Sequence, residues 1–421
     1  MQPLRPAIRH YPWGSTTLIP ELAGQPATGD PVAELWFGAH AAGPACVAQP
    51  DGALKGLDEM IAADPEYHLG ARVQKQWGPR LPFMLKLLAA GEPLSLQAHP
   101  SLAEAEEGFA RENAAGLALD DPRRNYKDSN HKPELIVALT PFRGLAGFRK
   151  ASSTHKLFSV LNCPELAPYA ELLENVEEDN EAAQLNTLFR RWVTLAEDER
   201  KHLISAIVDK ACEVLADESS WQSCSGWMLD SLRTVVDLQR RYPGDIGVLS
   251  ALLLHHVSMQ PGEALRLEAG QLHAYLSGLG VEIMASSDNV LRGGLTEKHV
   301  DVPELLSLLQ FSSVRDPIME PELIAEGQYN YPSHTEDFLL ERVELTSQHP
   351  RVRCDYEGPA IALVTRGAVE CNGRMLRPTE AVWLPAGAAD VGFALVDADE
   401  IGHDGMRAGA GSGAELFIAR V

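Results

Sequence analysis

The sequence has little positive charge. Its 36 lysine and arginine residues face 59 aspartate and glutamate residues, and the formal net charge at pH 7 is −23. Proteins that bind DNA or RNA gain affinity when their basic side chains neutralise phosphates and release counterions from the nucleic acid. An anionic membrane surface repels a chain this acidic. The composition therefore argues against nucleic acid and membranes as partners. An anionic substrate would need a local pocket of positive charge.

Cysteine is also scarce, and long apolar runs are lacking. The six cysteines are scattered without a CxxC pair, as is typical of proteins in a reducing cytosol. The stretch LPFMLKLLAA is too short to span a bilayer and carries Lys86 in its middle. The first residues lack the apolar core of a signal peptide. We therefore expect a cytoplasmic protein.

What is present is an ordinary globular composition, with 45% hydrophobic and 23% charged residues. The length of 421 residues predicts two or three domains. Short apolar runs separated by Gly and Pro indicate strands over 1–150 and again after 245. Between these regions, over 151–245, apolar residues recur at helical spacing. The positions of these helical stripes are Leu185, Leu188, Phe189 and Trp192, followed by Ile204, Ile207, Val208, Ala211 and Leu215.

A ten-residue segment occurs twice. PGEALRLEAG at 261–270 aligns without a gap on PTEAVWLPAG at 378–387, and both copies read as turn, strand and turn. Two copies of one β unit imply two β-barrel or sandwich domains, with a chance match between similar hairpins as the alternative. Three residues after the last glycine, His273 of the first copy corresponds to Asp390 of the second. We therefore predict a functional first domain and a structural second one.

Three strand-like segments carry side chains that can bind a metal. Strand alternation in LSLQAHP puts Gln97 and His99 on one face. HKPELIVAL places Glu134 ahead of an apolar run, and GQLHAYL places His273 after a glycine turn. Two imidazoles, a carboxylate and an amide oxygen suit zinc or a similar divalent ion. The residues alone leave three alternatives open: a solvent-facing polar row, a salt bridge to the glutamate, and a hydrogen-bonded core histidine.

A second group of residues is suited to binding an anion. In SSDNVLRGGLTEKHV, Arg292 precedes a glycine pair and Lys298 follows it. With Lys86, Lys132 and Ser95, these residues could form the local positive pocket that an anionic substrate requires. For each cation taken singly, ordinary surface charge is the alternative.

The motifs resemble those of type I mannose-6-phosphate isomerases over most of residues 1–310. The segments that carry the resemblance are YPWGS, AELWFGAH, LSLQAHP, NYKDSNHKPELIVALTPF and LHAYLSGLGVEIMASSDNVLRGGLT. The resemblance implies a mainly β fold with two cupin-type antiparallel β-barrels (jelly rolls) and an α-helical insertion. The helical block and the C-terminal region resemble the family in layout only. One departure is Leu272, where relatives commonly have proline before the histidine of the HAYL motif.

Pattern and resemblance together suggest three domains. Residues 1–150 and 246–316 are assigned to a discontinuous catalytic barrel, and 151–245 to the helical domain. Residues 317–421 are assigned to a C-terminal barrel without metal ligands. Within that barrel, the Gly-rich run at 402–415 is expected to be a mobile loop. We expect the protein to be a monomer.

The resemblance also implies a metal and a reaction. In the family, zinc is held by residues that correspond to Gln97, His99, Glu134 and His273, and we expect one zinc ion per chain. The family's active-site arginine corresponds to Arg292. The implied reaction interconverts mannose 6-phosphate and fructose 6-phosphate through an enediol. The expected partner is therefore a small sugar phosphate.

Such an isomerisation needs a base, a shuttle for protons between two oxygens, and positive charge near the developing oxyanion. We assign the base to Glu282, the shuttle to Lys132, and the positive charge to Arg292 and zinc. The residues expected around the phosphate or the sugar hydroxyls are Ser95, Lys86 and Lys298. Two alternatives remain: a metal cupin of another activity, such as an oxygenase or epimerase, and a sugar-binding protein without catalysis.

Overall fold

The computed structural model of the chain describes residues 1–49, 52–354, 356–388, 391–396 and 413–421. In chain order the strands are β1 (Gln2–Arg5), β2 (Ala7–Arg9), β3 (Glu34–Gly38), β4 (Cys46–Ala48), β5 (Leu54–Gly56), β6 (Phe83–Ala90), β7 (Leu96–Ala98), β8 (Glu134–Ala138), β9 (Phe142–Phe148), β10 (Leu254–Met259), β11 (Ala264–Leu267), β12 (His273–Ala285), β13 (Leu291–Gly294), β14 (Ile318–Met319), β15 (Glu322–Ala325), β16 (Gln328–Tyr331), β17 (Leu339–Thr346), β18 (Arg351–Cys354), β19 (Ala360–Arg366), β20 (Val369–Cys371), β21 (Arg374–Leu376), β22 (Ala381–Leu384), β23 (Val391–Leu395) and β24 (Gly413–Arg420). The α-helices are α1 (Leu18–Leu22), α2 (Leu57–Ala63), α3 (Pro65–Trp77), α4 (Leu102–Ala114), α5 (Ala151–Leu161), α6 (Ala167–Ala170), α7 (Glu178–Val193), α8 (Glu197–Ala216), α9 (Gly226–Arg241), α10 (Ile246–Ser250) and α11 (Val302–Leu308).

The first sheet has eleven strands and is organised around the long strand β12. Its main path runs β14-β11-β8-β12-β6-β3-β2, while β7 and β9 pair with β12 and carry β13 and β10 beside them. Strand β12 pairs antiparallel with β6 and β8 over its second half and with β7 and β9 over its first. The three motifs with predicted metal ligands therefore lie on neighbouring strands.

The second half of the fold consists of a nine-stranded and a four-stranded sheet. The larger one runs β15-β16-β17-β24-β19-β22-β1-β4-β5, and the smaller one runs β18-β23-β20-β21. Strand β1 pairs antiparallel with β22, so that Gln2 lies opposite Trp383. The region 1–150, which the sequence patterns assign to the catalytic barrel alone, therefore contributes strands to both halves. The reason is that the edge of β22 needs a pairing partner, which local patterns do not identify.

A sheet-rich fold with helices is confirmed, but hydrogen bonding within the described residues does not close the predicted barrels. The nine-stranded and four-stranded sheets each have two edge strands, and the branched eleven-stranded sheet ends at β14, β2, β10 and β13. The sheets instead bury their apolar faces against one another. One cluster joins Leu85 and Val281 of the first sheet to Trp383 and Phe417 of the second. Such face-to-face packing depends on the twist and shape of whole sheets, which strand patterns do not encode.

The helical block packs against the site-bearing sheet. Helices α5 to α10 follow one another between residues 151 and 250, and their core is continuous with Leu96 and Leu145 of β7 and β9. The predicted stripe positions Leu185, Leu188, Phe189, Trp192, Ile204, Ile207 and Ala211 are buried, and Val208 and Leu215 are partly buried. The helical periodicity is therefore confirmed. Within the described ranges, none of the helices has the length and apolarity needed to traverse a bilayer.

The repeated segment forms equivalent strands in the two halves. Strand β11 and strand β22 occupy the same four positions of the two copies, and they belong to different sheets. This agrees with one β unit used twice. Asp390, the counterpart of His273, and residues 402–412 of the predicted mobile loop lie outside the described residues.

Candidate metal centre and active-site cavity

Three predicted metal ligands meet where β7, β8 and β12 lie side by side. His99 directly follows β7, Glu134 begins β8 and His273 begins β12. The Nε2 atom of His99 lies 3.3 Å from Oε2 of Glu134, and Nε2 of His273 lies 3.6 Å from the same oxygen. One ligand atom from each residue lies within 4.8 Å of the other two. A single cation can therefore contact all three buried side chains.

Both imidazoles are held so that Nε2 faces the glutamate. The Nδ1–H of His99 donates to the main-chain oxygen of Asn289 at 2.8 Å, and that of His273 donates to the oxygen of Gln271 at 2.9 Å. Because a carbonyl only accepts, each Nε2 is left as the unprotonated ligand atom. The Nε2 of His99 is buried and makes no aligned hydrogen bond, despite its 3.3 Å distance from the carboxylate. An orphaned buried acceptor at this point fits a metal ion.

The electrostatics favour the protonation states that bind metals. Burial lowers the pKa of His99 to about 4, so the ring is neutral near pH 7. Burial alone would raise the pKa of Glu134, but Lys132 and the two histidines hold that pKa well below its usual value. A neutral imidazole and an ionised carboxylate are the forms that a divalent cation requires.

The two oxygens of Glu134 have separate partners. Oε2 faces the two histidines, while Oε1 lies 2.9 Å from Nζ of Lys132, which is itself buried. The sequence left a choice between a salt bridge and a metal for this glutamate. The geometry allows both, because Oε1 makes the salt bridge to Lys132 while Oε2 is left to face a metal ion.

Gln97 lies beside this group. It is opposite His273 in the pairing of β7 with β12, and its Nε2 donates to Oγ of Ser95 at 3.2 Å. Both Ser95 and Gln97 line a cavity next to the candidate ligands. The alternation predicted for LSLQAHP therefore brings these polar side chains to a cavity wall, where both are partly buried.

That cavity has a volume of about 540 Å³ and collects most of the residues predicted from the sequence. The predicted residues on its wall are Lys86, Ser95, Gln97, Lys132, Glu134, His273, Glu282, Arg292 and Lys298. His99 lies behind the wall, with 1% of its surface exposed. Side chains from five strands and three loops thus face one space, which is large enough for a sugar phosphate.

Glu282 is the centre of a buried network of charges. Its register on β12 places it opposite Lys86 of β6, whose Nζ lies 2.9 Å from Oε2 of the glutamate. Lys86 also lies 3.7 Å from Glu34, and the hydroxyl of Tyr275 donates to Oε1 of Glu282 at 2.9 Å. Burial, with the charges of Glu134 and Glu34, raises the pKa of Glu282 although Lys86 opposes the change. A carboxyl with a raised pKa is suited to general base catalysis near neutral pH.

Arg292 and Lys298 supply positive charge without carboxylate partners. Arg292 lies on β13 opposite Gln97, and burial lowers the pKa of its guanidinium group. Burial, with the nearby charge of Arg292, also lowers the pKa of Lys298. Among the described residues, neither side chain has a hydrogen bond or an ion pair. Two uncompensated cations on one wall make that wall attractive to an anion.

Several residues of the site were missed by sequence reasoning. Glu34 lies on the fully buried strand β3 and accepts from Nε1 of Trp36 at 2.7 Å. A glutamate inside an apolar strand indicates a buried charge that needs a partner, and the same pattern identified Glu134. Tyr275 is two positions after His273 on one strand face, and alternation could have found it. Asn289 had no such signal, because its contacts depend on two distant loops.

Comparison with known proteins identifies the family. Residues 1–151 match the family model described as "Phosphomannose isomerase type I, catalytic domain". The mannose-6-phosphate isomerase of Escherichia coli (strain K12) is 34% identical over 93% of this chain and 96% of that protein. This chain belongs to the mannose-6-phosphate isomerase family. The human mannose-6-phosphate isomerase is 32% identical over 87% of this chain and 88% of that protein.

Solved structures of mannose-6-phosphate isomerases share the whole fold. A structure of mannose 6-phosphate isomerase in a zinc-bound holo form has 31% sequence identity and a TM-score of 0.82, covering 100% of this chain and 98% of that one. A variant of phosphomannose isomerase from Salmonella typhimurium has the same identity and TM-score. The family resemblance read from residues 1–310 is thus confirmed, and the similarity extends through the helical block and the C-terminal sheets.

Proposed function

We propose that the protein is a zinc-dependent aldose–ketose isomerase that interconverts mannose 6-phosphate and fructose 6-phosphate. The observation that carries this proposal is the buried group of His99, Glu134 and His273 beside a cavity that also contains Glu282 and Arg292. Membership in the mannose-6-phosphate isomerase family supports the same substrate pair.

The metal ligands in this proposal are Gln97, His99, Glu134 and His273. The orphaned Nε2 of His99 and the fixed tautomers of both rings fit zinc, and a related enzyme binds it. One zinc ion per chain would supply positive charge close to the oxygens of the sugar. The ligand set carries one negative charge, so the site keeps a net positive charge.

Glu282 acts as the base that moves a proton between two carbons. In the aldose-to-ketose direction it removes the proton from C2, and the freed electron pair forms the C1–C2 double bond while O1 accepts a proton from Lys132. The product of this half is the enediol. Lys132 then takes the proton from O2, and Glu282 returns its proton to C1. The raised pKa of Glu282 and the position of both groups on one cavity wall support these roles.

Arg292 stabilises the negative charge that develops on the oxygens during enediol formation. A guanidinium group cannot serve as the base, because it does not deprotonate in proteins. Lys298 and Ser95, which both line the cavity, bind the phosphate or sugar hydroxyls. We place Lys86 near the phosphate or sugar hydroxyls as well. Because its Nζ lies 2.9 Å from Glu282 and 3.7 Å from Glu34, Lys86 also orients Glu282.

The finer description of the fold is likewise proposed. We infer two cupin-type jelly rolls and a helical insertion at 151–245, with catalytic strands from 1–150 and 246–316. We assign no metal ligands to the C-terminal jelly roll at 317–421, and its described residues contain no group of three or more His, Cys, Asp or Glu side chains that could hold a metal ion. Its sheet includes β1, β4 and β5. We also propose a cytoplasmic monomer that does not bind nucleic acid or membranes, in keeping with its net charge of −23.

Chelation followed by reactivation with single metals tests the proposed function. The purified protein is stripped of metal, reloaded with zinc, iron, manganese or cobalt, and assayed for fructose 6-phosphate formed from mannose 6-phosphate. We expect activity to depend on the metal and to return with zinc. If the zinc-loaded protein forms no fructose 6-phosphate, the result contradicts the proposal and favours a sugar-binding protein without catalysis. Oxygen consumption with iron, without isomerisation, would favour an oxygenase.

A further inference from the structure

Asn289 lies on the loop between β12 and β13 and is completely buried, with 0% of its surface exposed. We propose that Asn289 is a positioning residue that orients the metal-binding His99 and holds together two loops, one that contains Lys132 and one that precedes the strand with Arg292. The proposal rests on the proposed function for the identity of the metal site. It concerns a residue that contacts neither the cavity nor the three ligand atoms grouped above.

The first contact of Asn289 is with the metal site. Its main-chain oxygen accepts the Nδ1–H of His99 at 2.8 Å. That bond sets both the tautomer and the direction of the ring, because it leaves Nε2 as the atom that faces Glu134. Partners of this kind tune the affinity of a metal site although they do not touch the metal. The oxygen can do so only if the loop around Asn289 is held in place.

The side chain of Asn289 holds that loop against a second one. Its Oδ1 accepts from the main-chain nitrogen of Lys127 at 2.7 Å, and its Nδ2 donates to the main-chain oxygens of Asp128 and Asn130 at 2.8 Å each. Neither 127–133 nor 286–290 belongs to a strand. The amide therefore replaces the missing ladder hydrogen bonds between the two loops.

Asp128 and Ser287 extend the same connection. Oδ2 of Asp128 accepts from the main-chain nitrogen of Asp288 at 2.9 Å, and Oδ1 accepts from the hydroxyl of Ser287 at 2.9 Å. The hydroxyl of Ser287 also accepts from the main-chain nitrogen of Asn289 at 3.2 Å. The two loops are thus joined from both sides, with Asn289 in the middle.

The consequence is that one buried amide fixes three functional segments relative to one another. The loop 127–133 contains Lys132 and leads directly into Glu134, and the loop 286–290 leads into β13, which carries Arg292. His99 is held from the same point. Without the amide, His99 and the two loops would no longer be fixed relative to one another. A small displacement of catalytic groups lowers the reaction rate strongly, because the rate depends steeply on geometry.

Two substitutions test the proposal through metal binding. Asn289→Ala removes the amide, and Asn289→Asp keeps its shape while turning a carboxylate oxygen toward two carbonyl oxygens. Zinc affinity is measured by competition with a chromogenic chelator, and the cobalt-loaded protein is examined by its visible absorption spectrum. We expect both variants to bind zinc about 10- to 100-fold more weakly and to show an altered cobalt spectrum.

Glu341→Gln is the matched control, because Glu341 is also buried and hydrogen-bonded but lies in the nine-stranded sheet. It should lower the melting temperature while leaving zinc affinity and the cobalt spectrum at wild-type values. The proposal is overturned if folded Asn289 variants keep zinc affinity within twofold of wild type. It is also overturned if the control loses zinc affinity to the same degree, since the effect would then follow general destabilisation.

Ser287→Ala keeps the proposal testable if the Asn289 variants do not fold. The serine contributes one hydroxyl to the same connection, and we expect a smaller loss of zinc affinity, of about 3- to 10-fold. An unchanged cobalt spectrum and zinc affinity would then overturn the proposal. These measurements are made without substrate. A wild-type protein that binds zinc but does not isomerise mannose 6-phosphate would therefore refute the proposed function and leave this test intact.

Discussion

The two halves of the molecule use the same β unit and differ in what faces inward. Strands β11 and β22 occupy equivalent positions of the repeat, but the first sheet buries Lys86, Glu134 and Glu282 beside its cavity. The corresponding interior of the second half is mainly apolar, and all four residues of β22 are buried. The comparison shows that the β unit provides the scaffold, while a few buried charged residues determine whether that scaffold contains a metal and substrate site.

Removal of one metal ligand should give the largest difference between the two halves. We expect His99→Ala to abolish zinc binding and isomerase activity together, because the ring supplies a buried ligand atom. His68→Ala is the matched control, since His68 is a buried histidine that accepts from Nε1 of Trp383 in the second sheet. Metal analysis and a coupled assay measure the result. Zinc bound at full stoichiometry by the His99 variant would contradict the assignment.

The cationic wall is tested by Arg292→Ala. The guanidinium group has no carboxylate partner in the described structure, so its loss should leave the metal site intact. We expect kcat to fall by about 100-fold or more, with zinc retained, because the charge acts on the developing oxyanion. Steady-state kinetics with metal analysis measures both quantities. Retention of wild-type kcat would remove Arg292 from the mechanism.

The buried network around Glu282 predicts a change in pH dependence. Glu282 must be ionised to act as a base, and its raised pKa places the loss of activity on the acidic side. Tyr275→Phe removes a hydrogen bond to the ionised carboxylate, which should raise the pKa of Glu282 further. We therefore expect the acidic limb of kcat/KM to move to higher pH. An unchanged profile would show that Tyr275 does not influence the base.

The second half offers the smallest expected effect on activity. Glu341 is buried and accepts from the guanidinium of Arg420 and the hydroxyl of Tyr356. Glu341→Gln should lower the free energy of unfolding by about 1.5 to 3 kcal/mol, the range for a hydrogen bond to a charged group, and leave kcat unchanged. Chemical denaturation and kinetics measure the two effects. A fall in kcat would mean that the second half takes part in catalysis.

Much of the candidate site was predictable because its residues stand in strongly patterned segments. Strand alternation in LSLQAHP was enough to group Ser95 with Gln97, and the glutamate ahead of IVAL indicated a buried charge in need of a cation. The link between Lys86 and Glu282 was not predictable, because it depends on the register of β6 against β12 across nearly half the chain. The contribution of β1 to the second sheet escaped prediction for the same reason.

The sequence alone established which segments form strands and helices, which motifs belong to a family of isomerases, and which residue types are able to hold a metal. These properties depend on neighbours within a few positions, so periodicity and motifs reveal them. Only the tertiary structure decided that Nε2 of His99 faces Glu134 without an aligned hydrogen bond, that Lys86 lies between two carboxylates, and that Asn289 joins two loops. Such contacts join residues far apart in the chain, and no local pattern specifies which of them meet.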